Sequence, residues 1–274
     1  MTTCLKYIPK LNGWQPDASM KDAVDHTDLK FDDNIKALTA IGSGVVDPGV
    51  EVNGVLDLRK WCSPVEDQGQ LGSCVANATV GSLEFLQLRS GLPLLDLSRL
   101  FIYYNARLMT QDQDQDEGTY VRLAMGTLSA LGTCSEAKWS YDVSKVFVRP
   151  SWGSYREAYA NKIGSYYRID GSGQGRIDQI KQALQSQHPI VFGMTVDVSF
   201  MRVGADGLVP MPPKTLVNPG GHATLLVGYD DKRRLLIGKN SWGEDWGDKG
   251  YYYINYDHLD AAGANDLWVP TALK

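Results

Sequence analysis

The stretch over residues 68–78 reads QGQLGSCVANA and places a cysteine, Cys74, at the start of a helical pattern. Ser73 is the predicted N-cap, and apolar residues then recur every three or four positions before Gly91. The pattern predicts an amphipathic helix over 74–89 with Cys74 in its first turn. Since a helix N-terminus stabilises a thiolate, Cys74 is a candidate nucleophile.

Taken alone, a cysteine in such a helix is more often a small core residue. The residues before Cys74 favour chemistry instead. The turn GQLGS that follows Gln68 carries two glycines, which let the backbone fold tightly. The Gln68 amide would then lie beside the Cys74 backbone N–H, and two such donors can form an oxyanion hole.

Two later residues complete a possible catalytic set. His222 follows two glycines in PGGHATLLVGYD, at the start of a strand pattern, and Asn240 begins NSWGEDWGDKG. A lone histidine in that position is more often structural. The order cysteine, histidine, asparagine, however, matches a nucleophile, a base and a residue that orients the base.

The order of helix and strand patterns predicts an α+β fold. Further helical patterns cover residues 98–109, 121–131 and 175–186. Strand patterns cover residues 189–196, 222–230, 234–240 and 250–256. Helices early and strands late indicate a helical half and a β half. The glycine-rich segment 42–54 is a predicted linker, so the catalytic body begins near Val55.

Composition narrows the classes of partner. The chain has 274 residues and a formal net charge of −5 without a run of Lys and Arg, which argues against nucleic acid. No apolar run approaches the roughly 20 residues of a membrane-spanning helix, and the N-terminus lacks a signal-peptide pattern. No membrane partner is expected. The compartment stays open, either cytoplasmic or reached by another export route.

Four cysteines are too few for a disulfide-stapled secreted domain. They are Cys4, Cys62, Cys74 and Cys134, and whether Cys62 pairs with Cys134 does not follow from the sequence. The cysteines and histidines show no paired metal-ligand spacing. Neither a metal nor an organic cofactor is expected.

The motifs together resemble the papain-like cysteine peptidases. VLDLRKWCSPVEDQGQLGSCVANA resembles the start of a mature member, and GGHATLLVGYDD with IGKNSWGEDWGDKGYYYI resembles its second half. The resemblance spans roughly residues 55–269. It implies a two-lobed fold, with a helical lobe over roughly 60–160, a β-rich lobe over roughly 161–274, and the active site in the cleft between them.

The resemblance also implies a role for each site residue. Cys74 matches the nucleophile, His222 the base, Asn240 the residue that orients the imidazole, and Gln68 the oxyanion donor. The implied reaction is hydrolysis of peptide bonds through a thioester acyl-enzyme, with a peptide or protein as substrate. The triad and its low-pKa cysteine are properties of papain-like enzymes in general.

A set of substrate-binding residues follows from the same resemblance. Trp242 matches the tryptophan that shields the His–Asn hydrogen bond from water. Gly118 and Thr119 resemble the segment that pairs with an extended substrate, although threonine replaces the second glycine. The full predicted set is Gly118, Thr119, Tyr120, Gly221, Ala223 and Trp242.

Two positions depart from the family pattern. Leu71 replaces the cysteine that the family carries three residues before the nucleophile, so the usual disulfide there is absent. Val75 replaces the aromatic residue after the nucleophile. The stretches GTCSE and ANDLWV resemble bacterial members more than plant or lysosomal ones.

Residues 1–54 precede the mature-like start and are predicted to be a propeptide-like extension and linker. The resemblance implies an intramolecular inhibitor, as in a zymogen, and Trp14, Tyr7 and Ile8 are its predicted anchors. The alternative is a structural strap along the back of the domain.

An acidic loop precedes the predicted substrate-pairing segment. It favours basic residues on the N-terminal side of the cleaved bond, through charges that salt screens. These charges belong to Asp112, Asp114, Asp116 and Glu117.

Two other functions remain open from the sequence. One is an acyl transferase such as a transglutaminase, which uses the same nucleophile but passes the acyl group to an amine. The other is a non-catalytic binding protein that retains the peptidase fold.

Overall fold

The computed structural model of the chain describes residues 10, 12–15, 29–31, 53–217, 219–264 and 266–274. The predicted anchors Tyr7 and Ile8 and most of the predicted linker lie outside the described residues. No helix in the described part is long and apolar enough to cross a membrane.

Helices dominate the first half of the described chain. The longest is α1, which begins at Cys74, and its bounds confirm the prediction for residues 74–89. In chain order the α-helices are α1 (Cys74–Arg89), α2 (Arg99–Leu108), α3 (Val121–Ala130), α4 (Trp152–Ala158), α5 (Gly173–Gln185), α6 (Val198–Met201) and α7 (His258–Ala261).

The second half forms most of a seven-stranded sheet. The strands are β1 (Val55–Asp57), β2 (Tyr166–Ile169), β3 (Ile190–Val196), β4 (Gly220–Asp230), β5 (Leu235–Lys239), β6 (Tyr251–Asn255) and β7 (Asp266–Pro270). Their order is β2-β7-β3-β4-β5-β6, with β1 paired to β4, and all pairs are antiparallel. The predicted α+β fold class is therefore confirmed.

The prediction that α1 is amphipathic is wrong. Every residue of α1 except Leu88 is buried, because the helix packs against β4 and against helices α2 and α3. Polar side chains inside it therefore need partners. The Glu84 carboxylate has Arg99, whose guanidinium donates to both of its oxygens.

The elements that were not predicted are short ones. They are the helices α4, α6 and α7 and the strands β1, β2 and β7, none longer than seven residues. Such short segments carry little periodicity for sequence reasoning to use. Strand β7 nevertheless matters for the site, because it pairs with β3 as well as β2 and brings Asp266 opposite Gly193.

Candidate active site

Cys74 is the first residue of α1 and is completely buried. Its Sγ accepts a hydrogen bond from the Ala223 backbone N–H at 3.3 Å. Ser73 occupies the N-cap position, as predicted, but its hydroxyl does not cap the helix. The Ser73 Oγ lies 2.5 Å from the Tyr141 hydroxyl instead. The backbone N–H groups of Cys74 and Val75, in the first turn of α1, act to lower the pKa of the Cys74 thiol.

His222 and Asn240 lie next to each other on neighbouring parts of the sheet. His222 is in β4, Asn240 follows β5 directly, and 2.8 Å separates His222 Nε2 from Asn240 Oδ1. The same Oδ1 accepts from the Ser241 backbone N–H, which fixes it as the acceptor. His222 Nε2 must then carry the proton, which leaves Nδ1 with its lone pair.

Trp242 covers this hydrogen bond. Its ring centroid lies 4.5 Å from that of His222, with an angle of 32° between the ring planes. Phe200 packs on both rings from α6. The imidazole is thereby held in one orientation and kept from water.

Burial keeps both Cys74 and His222 neutral. Loss of water raises the pKa of the Cys74 thiol to about 12, although the Ala223 N–H partly opposes this. Loss of water also lowers the pKa of His222 to about 4, and the Asn240 hydrogen bond offsets only part of the change. In this arrangement the pair is a thiol and a neutral imidazole.

Gln68 lies in the loop before α1 and ties that loop to the residues after Asn240. Its Oε1 accepts from the Ser241 hydroxyl at 2.7 Å, and its Nε2 donates to the Leu71 carbonyl at 2.9 Å. An amide nitrogen has two N–H groups, so the Leu71 bond uses one of them. Gln68 is fully buried, which fixes the amide in place.

A short N-terminal segment, residues 12–15, crosses the site. Gly13 passes so close to the nucleophile that a Cβ on it would lie 2.6 Å from Cys74 Sγ. The Thr119 N–H donates to the Gly13 carbonyl, and the Gln15 N–H donates to the Thr119 carbonyl, both at 3.1 Å. These bonds make a parallel bridge beside Trp14. The segment therefore covers Cys74.

The described N-terminal residues also contact acidic side chains. The Trp14 indole is buried, and its Nε1 donates to Asp266 Oδ2 at 3.1 Å. Lys10 Nζ lies 3.0 Å from Asp116 Oδ2 and also donates to the Asp116 backbone carbonyl. Asp116 further accepts from the Tyr103 hydroxyl and the Gly72 N–H. Asp116 thus joins the N-terminal residues to the loop before α1.

Most of the predicted substrate-binding residues lie around this segment. Thr119 and Gly221 bond to its backbone, and Gly118, at φ +83°, lies against the carbonyls of Asn12 and Gly13. Ala223 contacts Cys74, and Trp242 contacts His222. Tyr120 lies half-buried at the N-cap of α3.

Sequence reasoning missed Gly193 and Asp266, which surround the Trp14 ring. No local pattern connects positions so far apart in the chain, so nothing in the sequence linked either residue to Trp14. The structure also answers the open question about cysteines, because Cys62 and Cys134 are both free thiols. Among the described residues, no group of three or more His, Cys, Asp or Glu side chains is placed to hold a metal ion.

Comparison with known proteins places the chain among cysteine proteases. Residues 53–269 match the family model described as papain family cysteine protease. An uncharacterized peptidase C1-like protein of Acanthamoeba polyphaga mimivirus is 38% identical over 231 residues, which cover 80% of this chain and 74% of that protein. A viral cathepsin of Adoxophyes honmai nucleopolyhedrovirus is 28% identical, over 76% of this chain and 58% of that protein.

Solved structures agree. Xylellain, a cysteine protease from Xylella fastidiosa, has a TM-score of 0.76 and 30% identity, over 99% of this chain and 100% of that one. Digestive procathepsin L 3 of Tenebrio molitor, at 21% identity and a TM-score of 0.64 over 87% of this chain and 78% of that one, shares the fold. A bacterial type of member stays a prediction, since the relatives include viral proteins. The chain belongs to the papain family and is a cysteine-type peptidase.

Proposed function

We propose that the chain is an endopeptidase that uses Cys74, His222, Asn240 and Gln68, and that residues 12–15 hold it inactive. The observation that carries the proposal is the His222–Asn240 hydrogen bond beside a cysteine that begins a helix. The two alternatives, an acyl transferase and a non-catalytic binding protein, have no comparable support.

The reaction begins when the segment leaves the cleft and water reaches the pair. The Cys74 thiol passes its proton to His222 Nδ1, and the resulting thiolate attacks the carbonyl carbon of a peptide bond. The Cys74 N–H and the Gln68 amide stabilise the oxyanion. His222 then protonates the leaving amine, and the thioester remains on Cys74.

Hydrolysis of the thioester reverses these roles. Neutral His222 takes a proton from water, the hydroxide attacks the thioester carbon, and the thiolate leaves as the carboxylic acid forms. Asn240 holds Nε2 of the imidazole, which leaves Nδ1, without a hydrogen-bond partner among the described residues, to exchange the proton. Trp242 keeps water from competing for the His–Asn bond.

The domain proposal follows the same division. Residues 1–54 form the N-terminal extension and linker, and residues 55–274 form the peptidase domain, with a helical lobe over roughly 60–160 and a β-rich lobe over roughly 161–274. Strand β1 supports a start at Val55, because it pairs with Asp230 and its neighbours in β4.

Two features of residues 12–15 support inhibition over a strap on the back of the domain. The segment removes water from Cys74 and His222, which favours the neutral, unreactive pair. The Gly13 Cα lies close to the sulfur, but the Gly13 carbonyl is already bonded to the Thr119 N–H. It is therefore turned to Thr119, so the segment is a poor substrate for Cys74.

Labelling with a peptidyl epoxide tests the peptidase function. We expect a single modified residue, Cys74, when the labelled protein is mapped by mass spectrometry, because among the described cysteines it is Cys74 that begins a helix and bonds the N–H of Ala223, next to the proposed base His222. Cys74→Ala should lose both the label and peptide hydrolysis while staying folded. Modification elsewhere, or hydrolysis by Cys74→Ala, would contradict the assignment.

A Trp14→Ala variant tests inhibition. Loss of the buried indole should release the segment and speed epoxide labelling on the order of 10- to 100-fold. Trp152→Ala is the matched control, because Trp152 is 82% exposed on α4. Equal labelling rates in Trp14→Ala and the unchanged chain would favour the strap. A folded chain that begins near Val55 should be activated in the same way.

A further inference from the structure

Asp116 bonds through one of its oxygens to the loop that precedes the proposed nucleophile. The Gly72 N–H, two residues before Cys74, donates to Asp116 Oδ1 at 2.9 Å. The Tyr103 hydroxyl of α2 donates to the same oxygen at 2.5 Å. Asp116 Oδ1 therefore joins the loop before α1 to helix α2.

The Tyr103 hydroxyl carries this connection on to the predicted substrate-pairing residues. It accepts from the Gly118 N–H at 3.2 Å, and Gly118 precedes Thr119. Tyr103 is completely buried. Loss of water and the nearby Asp116 carboxylate raise the pKa of Tyr103, so its hydroxyl keeps the proton that it donates in this bond. A continuous chain of hydrogen bonds thus runs through Asp116 and Tyr103 from one loop to the other.

The groups in this chain pack closely around a glycine. A Cβ on Gly72 would lie 3.1 Å from the Tyr103 hydroxyl oxygen and 3.2 Å from Asp116 Oδ1. It would also lie 3.2 Å from the Gly118 nitrogen. Arg107 holds the tyrosine in place, because its guanidinium carbon lies 3.9 Å from the centroid of the Tyr103 ring. The two loops therefore meet at one tightly packed point.

The two oxygens of Asp116 have different partners. Oδ1 makes the bonds just described, whereas Oδ2 lies 3.0 Å from Lys10 Nζ in the N-terminal extension. The N–H and the carbonyl of Thr119 both bond to residues 12–15. When the extension leaves the cleft, these bonds of Thr119 and the pair at Oδ2 are lost. The bonds at Oδ1 remain, because their donors belong to the body of the enzyme.

No disulfide among the described cysteines braces this region. Cys62, Cys74 and Cys134 are all free thiols. Leu71, in the loop before α1, stands where the family pattern has a cysteine. Hydrogen bonds to a side chain from the other loop supply a connection there instead.

We propose that Asp116 is a positioning residue that holds the loop before Cys74 and residues 118–119 at the separation that an extended substrate needs. The proposal rests on the peptidase function above and adds a residue to it. Asp116 acts through Gly72 and, by way of the Tyr103 hydroxyl, through residue 118.

The size of the effect follows from the donors that Asp116 satisfies. Without the carboxylate, the Gly72 N–H and the Tyr103 hydroxyl lose their acceptor. A water molecule that enters satisfies these donors but does not tie the loops together. Since a displacement of about 1 Å lowers the rate of a positioned reaction by up to about 100-fold, we expect a loss of about 10-fold or more. Asparagine keeps an oxygen at the Oδ1 position and should preserve the connection.

Two cysteine reagents measure positioning without turnover. In the Trp14→Ala background, a peptidyl epoxide reaches Cys74 by pairing with residues 118–119, whereas iodoacetamide needs no such pairing. Asp116→Ala should slow the epoxide by about 10-fold or more and iodoacetamide by less than about threefold. Asp116→Asn should keep both rates within about threefold of the background.

An epoxide rate that Asp116→Ala leaves unchanged would overturn the proposal. Equal slowing of both reagents would also overturn it, since that result indicates a change at Cys74 itself. Asp178→Ala, which removes an exposed carboxylate of α5, is the matched control and should change neither rate. If Asp116→Ala does not fold, Tyr103→Phe breaks the same chain at its next bond and should give the same ratio of rates.

Hydrogen exchange at the Gly118 amide decides the proposal even if the chain cleaves no peptide. In Asp116→Ala the Gly118 N–H keeps its own acceptor, the Tyr103 hydroxyl. Exchange at Gly118 that is faster by about fivefold or more would therefore show that Asp116 holds the two loops together. Unchanged exchange would refute the connection. Failure of every variant to react with the epoxide or to cleave peptides would instead refute the peptidase function.

Discussion

Helix α1 carries two buried polar groups, Cys74 at its first residue and Glu84 near its middle. Glu84 has a charged partner and Cys74 does not. Glu84 accepts from Arg99 at 2.7 and 2.6 Å and from the Leu97 N–H at 3.0 Å. Cys74 accepts a hydrogen bond from the Ala223 N–H. Its proposed partner His222 is neutral, so no imidazolium charge is present to stabilise a thiolate.

The charges around Glu84 survive burial because they are paired. Burial alone would lower the pKa of Arg99, but Glu84 and Glu66 raise it above the ordinary value. At Cys74 and His222 the loss of water outweighs the hydrogen bonds, so it raises the pKa of the thiol, lowers the pKa of the imidazole and leaves both groups neutral. The middle of the helix therefore holds an ion pair between Glu84 and Arg99, whereas Cys74 at its first residue is a neutral thiol in the covered arrangement.

Changes at the catalytic end should cost the most, in activity. In the Trp14→Ala background we expect Cys74→Ser to leave less than a few per cent of kcat/KM, since a serine hydroxyl is much less acidic and less nucleophilic than the thiol that passes its proton to His222. His222→Ala should lose on the order of 10³-fold and Asn240→Ala less, because Asn240 orients the ring without transferring protons. Equal losses for the two would contradict these roles.

Glu84→Gln should act on stability alone. It leaves the Arg99 guanidinium buried with part of its charge uncompensated, so we expect the free energy of unfolding to fall by about 3–5 kcal/mol. Denaturant titration measures the change, and Glu244→Gln, on the exposed surface, is the matched control. The folded fraction should label at Cys74 at the unchanged rate. A loss of labelling would mean that the two ends of α1 are coupled.

Acid should lower the free energy of unfolding, because the folded protein holds buried histidines in their neutral form. Loss of water lowers the pKa of His222 to about 4 and that of His188 to about 3, below the ordinary 6.5. The unfolded chain therefore binds more protons below pH 6.5. The stability from neutral burial is full above that pH and falls as the pH drops toward 4, by up to about 1.4 kcal/mol per unit for each histidine.

Unfolding curves at pH 7 and pH 4.5 measure this loss. His188→Gln should reduce the slope without exposing Cys74, because His188 Nε2 bonds the Thr271 carbonyl away from the cleft. A slope equal to that of the unchanged chain would show that His188 is already protonated when folded.

The smallest effect should come from the Lys10–Asp116 pair. Lys10→Ala should speed epoxide labelling of Cys74 by less than about fivefold, since partly exposed ion pairs contribute at most about 1 kcal/mol. High salt should produce a similar change in the unchanged chain. Lys30→Ala, which removes an exposed pair with Asp170, is the control. A Lys10→Ala effect as large as that of Trp14→Ala would reverse the ranking of these contacts.

Asp116 also bears on the predicted preference for basic substrates. Asp116 is one of the four acidic residues of the loop before Gly118. In the part of the chain that the structure describes, it is the member of this loop that forms an ion pair with Lys10. Basic preference from this loop stays a prediction. Peptide profiling at low and high ionic strength checks it, because the preference should fade as salt rises.

The sequence predicted the parts of the site that depend on neighbouring residues or on the order of motifs. The bounds of α1 follow from spacing and from Gly91, and the set Cys74, His222 and Asn240 follows from motif order. The sequence did not predict that α1 is buried on all sides. Polar residues such as Glu84 suggest an exposed helix face when their hydrogen-bond partner is unknown. Arg99 supplies that partner from a different helix.

The contacts of Trp14 were beyond sequence reasoning for a related reason. Trp14 was a predicted anchor, but its pocket joins three strands, and Gly193 and Asp266 are ordinary residues until the sheet brings them opposite each other. A glycine in a strand signals close approach of another backbone or group without saying which one.

The missing side chain at Gly193 also determines how easily evolution could release residues 12–15. Because a Cβ there would overlap the Trp14 ring, one base change in the codon for residue 193 would expel the indole while leaving the segment, Cys74 and His222 intact. Under the proposed inhibition by residues 12–15, that single step would convert a restrained protease into a constantly active one. Related proteins that have a tryptophan at the position of Trp14 should also have a glycine at the position of Gly193. Those that lack one of the two residues should tend to lack the other.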